Sequence, residues 1–252
     1  MWESTEDSAN TEQAEEFFAG MEEREADEML AFCREFFAPN LDHPVGHGLT
    51  SIPIGFSMPH QQLTDREDSV LIVIDAQRHF IDKLTGDDTN QLLNRIRWII
   101  QMATKMDIPV VVTAEDHETV GPTDPFIAAA FPPQTLEHNK MTFGLCGDPD
   151  ILGAVESTGR RTAVLVGFET DVCVMQSALG LLSEGFRVVA LADATGSPGE
   201  AHEAGIERMR DAGVVISTVK STFYEWVRSL HFADEQLDPS IWTDERPDGI
   251  SL

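Results

Sequence analysis

Lysine is the scarcest charge carrier in this 252-residue chain: only Lys83, Lys105, Lys140 and Lys220 occur, and Lys plus Arg total 17 against 44 Asp plus Glu. With a formal net charge of −27 and scattered arginines, the chain lacks the clustered basic surface that phosphate backbones or anionic membranes require. Nucleic acid and membrane are therefore not expected as partners. Cysteine is sparse too, with Cys33, Cys146 and Cys173 alone, an odd and small number that argues against a disulfide framework and for reduced thiols. Long apolar runs are missing too. The cleanest, 70–74, is strand-sized, whereas a membrane helix takes about 20 apolar residues. The acidic, polar first ten residues do not resemble a secretory leader, so a cytoplasmic location is expected.

What is present suffices for a core: 42 % of residues are hydrophobic, including 14 Phe and 4 Trp. Residues 1–66 hold 14 acidic and 3 basic residues, and Ala14, Phe17, Phe18, Met21, Met29, Cys33, Phe36 and Phe37 recur at helical spacing. That stripe predicts a helix, followed by an aperiodic arm over 39–62. Helix and arm are expected to pack on their own domain or at an interface with a second copy. From 67 to 233 the pattern becomes regular. Apolar runs at 70–74, 109–112, 162–166, 187–191 and 214–217 alternate with helical patterns at 88–106, 148–158, 172–184 and 199–212, and a further short strand is expected over 136–140. Such alternation builds βαβ units, giving a three-layer α/β/α sandwich around a mostly parallel six-stranded sheet, with an acidic tail over 234–252. Ligands in these folds bind beyond the carboxyl ends of the strands. The residues there are Asp75, Glu115 to His117, Lys140, 167–173 and Asp193.

Asp75 closes a fully apolar run, where partial desolvation would raise its pKa enough to exchange a proton near neutrality; as an alternative it caps the next turn. Cys173 follows the run 162–166 at the start of a helical pattern, whose N–H groups and dipole favour a thiolate and could hold an oxyanion. A thiol also needs a base and a cation, which Asp75 and Lys140 supply. A small buried hydrophobe is the alternative for Cys173, and the reading adopted for Cys33 and Cys146.

These residues carry a resemblance. Val-Ile-Asp75-x-Gln77-x-x-Phe80, the isolated Lys140 before Thr142-Phe143, and Gly167-x-x-Thr170-Asp171-x-Cys173-Val174 occur in the order of the isochorismatase-like cysteine hydrolases, followed by Ala192-Asp193-Ala194. The stretch 69–223 resembles that family, which includes nicotinamidases and carbamoylsarcosine amidohydrolase. The resemblance implies a Rossmann-like fold, an Asp75, Lys140, Cys173 triad, and a non-proline cis bond between Phe168 and Glu169. It also implies an oxyanion hole from the N–H groups of Glu169 and Cys173, and hydrolysis of a small carboxamide or related C–N bond through a thioester.

Isochorismatases proper cleave a vinyl ether without needing the cysteine, so its presence here favours amide cleavage. Nicotinamidases hold a metal through Asp-x-His and two further histidines; here Glu115-Asp116-His117 stands at that place, position 123 is Thr, and no third histidine follows. No metal or other cofactor is expected. The loop 115–125 resembles the poorly characterised branch that contains the isochorismatase-domain proteins of animals. Gln77, Phe80, Glu115, His117, Phe143, Phe168 and Val172 are the expected walls of a small pocket. A homo-oligomer with the N-terminal helix and arm at an interface is expected. The alternatives are a non-catalytic scaffold that kept the fold, a vinyl-ether hydrolase, and redox sensing by Cys173.

Overall fold

The computed structural model describes residues 63–85, 88–236 and 246–247. The predicted N-terminal helix and arm, Cys33 and most of the acidic tail lie outside the described residues. Six parallel strands form one sheet: β1 (Ser69–Ile74), β2 (Val110–Glu115), β3 (Glu137–Lys140), β4 (Thr162–Phe168), β5 (Arg187–Gly196) and β6 (Val215–Ser217), in the order β3-β2-β1-β4-β5-β6. The chain winds outward from β1 to β3, then returns to lay β4 on the other side of β1. Between β1 and β4 the strand order therefore reverses, and at such a switch point the carboxyl ends open a crevice.

Burial on both faces explains the uninterrupted apolar character of β1. Leu71 and Val73 face one core with Ile96, Ile99 and Trp98 of helix α2 (Thr89–Lys105). The same core takes Phe223 and Trp226 from α7 (Val219–Val227), with Trp98 edge-on to Phe223 at 4.9 Å and Trp226 Nε1 donating to Ser69 Oγ at 3.1 Å. Val70, Ile72 and Ile74 face the opposite core. Its helices are α4 (Pro149–Ser157), α5 (Met175–Ser183) and α6 (Ala201–Asp211). Three short helices, α1 (Arg78–Ile81), α3 (Pro125–Ala128) and α8 (Leu230–Gln236), and a 3-10 turn at Leu145–Gly147 complete the described helical elements beside the turn that follows β4.

Two expectations need correction. β5 does not end at 191 but continues to Gly196, because a register shift against β4 between Leu165 and Gly167 restores the pairing as Gly167 with Thr195 and Phe168 with Gly196. Asp193 is thus inside the strand. The helical pattern from 172 does not begin as an α-helix: Thr170–Val174 forms a π-helical turn, with the N–H of Val174 bonded to the carbonyl of Glu169 at 3.1 Å, before α5 starts at Met175.

Candidate functional site

The cluster is assembled by strand register. Glu115 and Lys140 are direct partners across β2 and β3, while the N–H of Asp75 bonds the Thr113 carbonyl at 3.0 Å, which fixes the end of β1 one step inside β2. Lys140 is consequently two strands from Asp75, and its stem passes over the end of β2. Its Nζ arrives 2.9 Å from Asp75 Oδ2 and 3.9 Å from Glu115 Oε2, and donates to the carbonyls of Thr142 at 2.6 Å and Phe143 at 3.1 Å. Both Lys140 and Asp75 are wholly buried. A buried ammonium left unpaired would cost several kcal/mol, so these four oxygens are the condition of its being there.

On the other side of β1, the π-helical turn after β4 presents Cys173. Its thiol donates to Glu115 Oε2 at 3.3 Å. One ligand atom each from Asp75, Glu115 and Cys173 falls within 4.8 Å of the others. Two close backbone approaches hold this turn. Gly167 has φ +120°, and a Cβ there would collide with the Ile74 carbonyl oxygen, so only glycine lets β4 close on the end of β1. At Gly205 a Cβ would lie 2.8 Å from the Asp171 Cα, so α6 docks directly on the turn's backbone. Asp171 in turn accepts from Ser197 Oγ at 2.6 Å, and Thr170 Oγ1 lies 2.9 Å from His202 Nδ1. Asp75 itself has φ +47°, a left-handed value uncommon for a non-glycine residue. The bond between Phe168 and Glu169 is cis.

Electrostatics divide the two acidic hydrogens. Burial pushes the Asp75 carboxyl above the usual carboxylate range, with the Lys140 ammonium pulling the other way. Burial, then the Asp75 charge, pushes the Cys173 thiol up, against a smaller opposing pull from Lys140. Against the thiolate that helix N–H groups are expected to favour, burial and the neighbouring carboxylates act to keep the thiol proton. Cys146, half-buried near Glu184 and Glu156, is pushed up to about 11.

The expected pocket walls separate into groups. Gln77 is wholly buried and its amide is consumed by the backbone, bonding the carbonyl and N–H of Glu115 and the carbonyl of Gly121. It is a strut that ties the 116–123 loop to β2, not a wall. Phe80 and Phe168 belong to the α2 and α7 side of the core. The reason for Phe168 is strand alternation: Val164, Val166 and Phe168 share one face, and Cys173 packs on the other. His117 turns to Glu137 Oε1 at 2.9 Å. Phe143 is 56 % exposed, and Val172 packs at the margin of the α4, α5 and α6 side. Of the expected walls, Glu115 is the one shown hydrogen-bonded to the thiol among the described residues. A metal in the nicotinamidase manner does not fit this donor set: His117 is paired elsewhere, Thr123 replaces a ligand, and the cation's place beside Asp75 and Glu115 is taken by Lys140.

A separate cleft of about 490 Å³ opens beside the end of β5, lined by Leu84, Leu92, Arg95, Asp193, Ser197 and His202 among others. It contains none of the cluster residues. No helix of the described residues is long and apolar enough to cross a membrane.

Comparison with known proteins converges on this region. The Isochorismatase domain family matches residues 69–221. Isochorismatase domain-containing protein 2 of Xenopus laevis is 29 % identical over 152 residues, covering 60 % of this chain and 71 % of that one. Among solved structures, YcaC from Pseudomonas aeruginosa with hexane-2,5-diol and covalent acrylamide superposes with a TM-score of 0.65 at 24 % identity, covering 69 % of this chain and 88 % of that one. YcaC from Escherichia coli, described as an octameric hydrolase of unknown specificity, gives 0.64 at 23 % identity, covering 68 % and 84 %.

Proposed function

Because the chain belongs to the isochorismatase family of hydrolases, we propose that it is a cysteine hydrolase of small carboxamides or related C–N bonds, with Asp75, Lys140 and Cys173 as its triad. The observation that carries this reading is the placement of the Cys173 thiol within 4.8 Å of the carboxylate of the buried Asp75–Lys140 ion pair. Asp75, lifted toward neutrality by burial, is suited to take the thiol proton; transfer moves one negative charge from carboxylate to sulfur beside the same ammonium, which keeps the cluster's net charge constant. The thiolate then attacks the carboxamide carbon, and the N–H groups of Glu169 and Cys173 receive the oxyanion. Asp75 returns its proton to the departing nitrogen, which leaves as ammonia or an amine. Water then gives a proton to Asp75 as its oxygen attacks the thioester carbon; the C–S bond breaks, Asp75 returns that proton to the sulfur, and the carboxylic acid product leaves the free thiol. Lys140 holds Asp75 in place throughout.

Screening nicotinamide, ureido-acids, biuret and simple carboxamides for ammonia release, beside Cys173→Ala, tests the reading. Turnover that vanishes in the variant supports it. A competing reading, a fold homologue that only binds partners, draws on the near-complete burial of Cys173, 2 % exposed. Absence of turnover across the panel, with no covalent labelling of Cys173, would favour that one. Assembly into a homo-oligomer and a cytoplasmic location remain part of the proposal.

A further inference from the structure

Glu115 is the one member of the cluster that reaches solvent: its side chain is 23 % exposed, against 0 % for Asp75 and Lys140. A substrate approaching Cys173 meets this carboxylate, which already holds the thiol hydrogen at 3.3 Å. The formal charges at the cluster are two carboxylates and one ammonium, a net of −1 with the thiol neutral. Moving the thiol proton to Asp75 leaves that sum unchanged but takes away the donor that Glu115 was using and puts a thiolate in its place. Two negative groups so close in a poorly solvated site repel strongly unless a donor or cation comes between them.

Among the described residues, several cations on these strands and loops are already paired. Lys140 donates to two carbonyls and lies 2.9 Å from Asp75 but 3.9 Å from Glu115, so it offsets the Glu115 charge only from a longer distance. Lys83 pairs with Glu169 at 3.1 Å, Arg78 with Asp82 at 2.8 Å and Asp124 at 3.5 Å, and Arg95 with Asp193 at 3.7 Å. His117 is turned to Glu137. A donor or cation on the substrate, meeting the exposed edge of Glu115, would relieve the repulsion that remains.

We propose that Glu115 is the charge filter of this site: its carboxylate accepts hydrogen bonds from neutral, N–H-rich or cationic carboxamides and turns away substrates that carry a carboxylate. The inference rests on the hydrolase reading and narrows it, since ureido-acids become poor substrates while amides with amine or amidine groups become good ones.

The test compares three alkylating probes of different charge on Cys173: iodoacetate, iodoacetamide and 2-bromoethylamine. Rates at the Cys173 peptide are read by mass spectrometry in a Cys33→Ser, Cys146→Ser background, and each is divided by the rate with a free small thiol. The expected normalised order is cationic, then neutral, then anionic, with about ten-fold between the extremes. Glu115→Gln keeps the shape and an acceptor but removes the charge, and should collapse that spread, with molar salt acting in the same direction on the parent protein. A spread that survives in Glu115→Gln, or a parent protein that reacts with iodoacetate as readily as with the others, overturns the filter while leaving the nucleophile intact. Failure of Cys173 to react with any probe overturns the hydrolase reading and the filter with it. With substrates, 3-aminopropanamide, butanamide and succinamate form the matching series, and their ammonia release should rank in the same order. The parent protein's ranking stands even if the Gln variant folds poorly.

Discussion

Lys140 spans the end of β2 to place its ammonium 2.9 Å from the Asp75 carboxylate, with neither side chain touching solvent. The pair joins a strand at the edge of the sheet to one at its centre, and the thiol of Cys173 closes the arrangement from the other side of β1.

Removing Lys140 leaves a buried carboxylate without its cation. Lys140→Met is expected to lose about 3–5 kcal/mol of stability at neutral pH. The sign of its pH dependence follows from Asp75. A carboxyl whose folded pKa lies above its unfolded value of 3.8 contributes stability fully present below that value and lost as pH rises through the folded pKa. Without Lys140 the folded pKa climbs further. Urea unfolding should therefore show the deficit of Lys140→Met small in acid and widening toward neutrality; a constant deficit would refute the coupling.

Asp75 as base requires its ionised form. The acid limb of the kcat/KM profile should lie above the usual carboxylate range, as burial dictates, and Asp75→Asn should reduce turnover by about 10³-fold or more. An acid limb near 3.8 would contradict the environment described for this side chain.

Gly167 allows β4 to approach the Ile74 carbonyl. Gly167→Ala, which combines a backbone collision with a φ of +120°, should cost about 2–4 kcal/mol and reduce turnover together with stability. Gly159, with φ +69° and open space around it, is the control, where the same substitution should cost only about 1 kcal/mol.

His202 lies 2.9 Å from Thr170 Oγ1, and burial holds its pKa below the ordinary 6.5, against the pull of Glu203 and Asp171. A depressed histidine contributes stability present above 6.5 and lost as pH falls through its folded value. Hydrogen exchange of the 170–174 turn should accelerate as pH falls through that range after correction for the intrinsic rate, and His202→Asn should remove the effect. An unchanged corrected rate would sink this link.

Five of the strands were legible because a doubly covered sheet demands uninterrupted apolar runs, although β5 continues past its pattern to Gly196; β3, a polar Glu-His-Asn-Lys segment at the sheet edge, carries no such run. Helix α7 was missed. Its Thr-Phe-Tyr-Glu-Trp-Val stretch is rich in strand-forming residues, and tertiary packing of Phe223 and Trp226 makes it helical. Asp75, Lys140 and Cys173 could be placed at strand ends because βαβ winding fixes where those ends point. Phe80, Phe168 and Gln77 were misjudged as pocket walls for a different reason: proximity to a motif does not say which face a side chain takes or whether the backbone has already claimed it. The contact between Glu115 and Cys173 depends on the register of β2 against both neighbours, which no local pattern encodes.

Most direct is acid quenching of the protein during steady turnover of a hydrolysed carboxamide, followed by peptide mass spectrometry. The account predicts an acyl group on Cys173, removed by hydroxylamine, and neither adduct nor ammonia from Cys173→Ala. Ammonia release that continues in Cys173→Ala would contradict it.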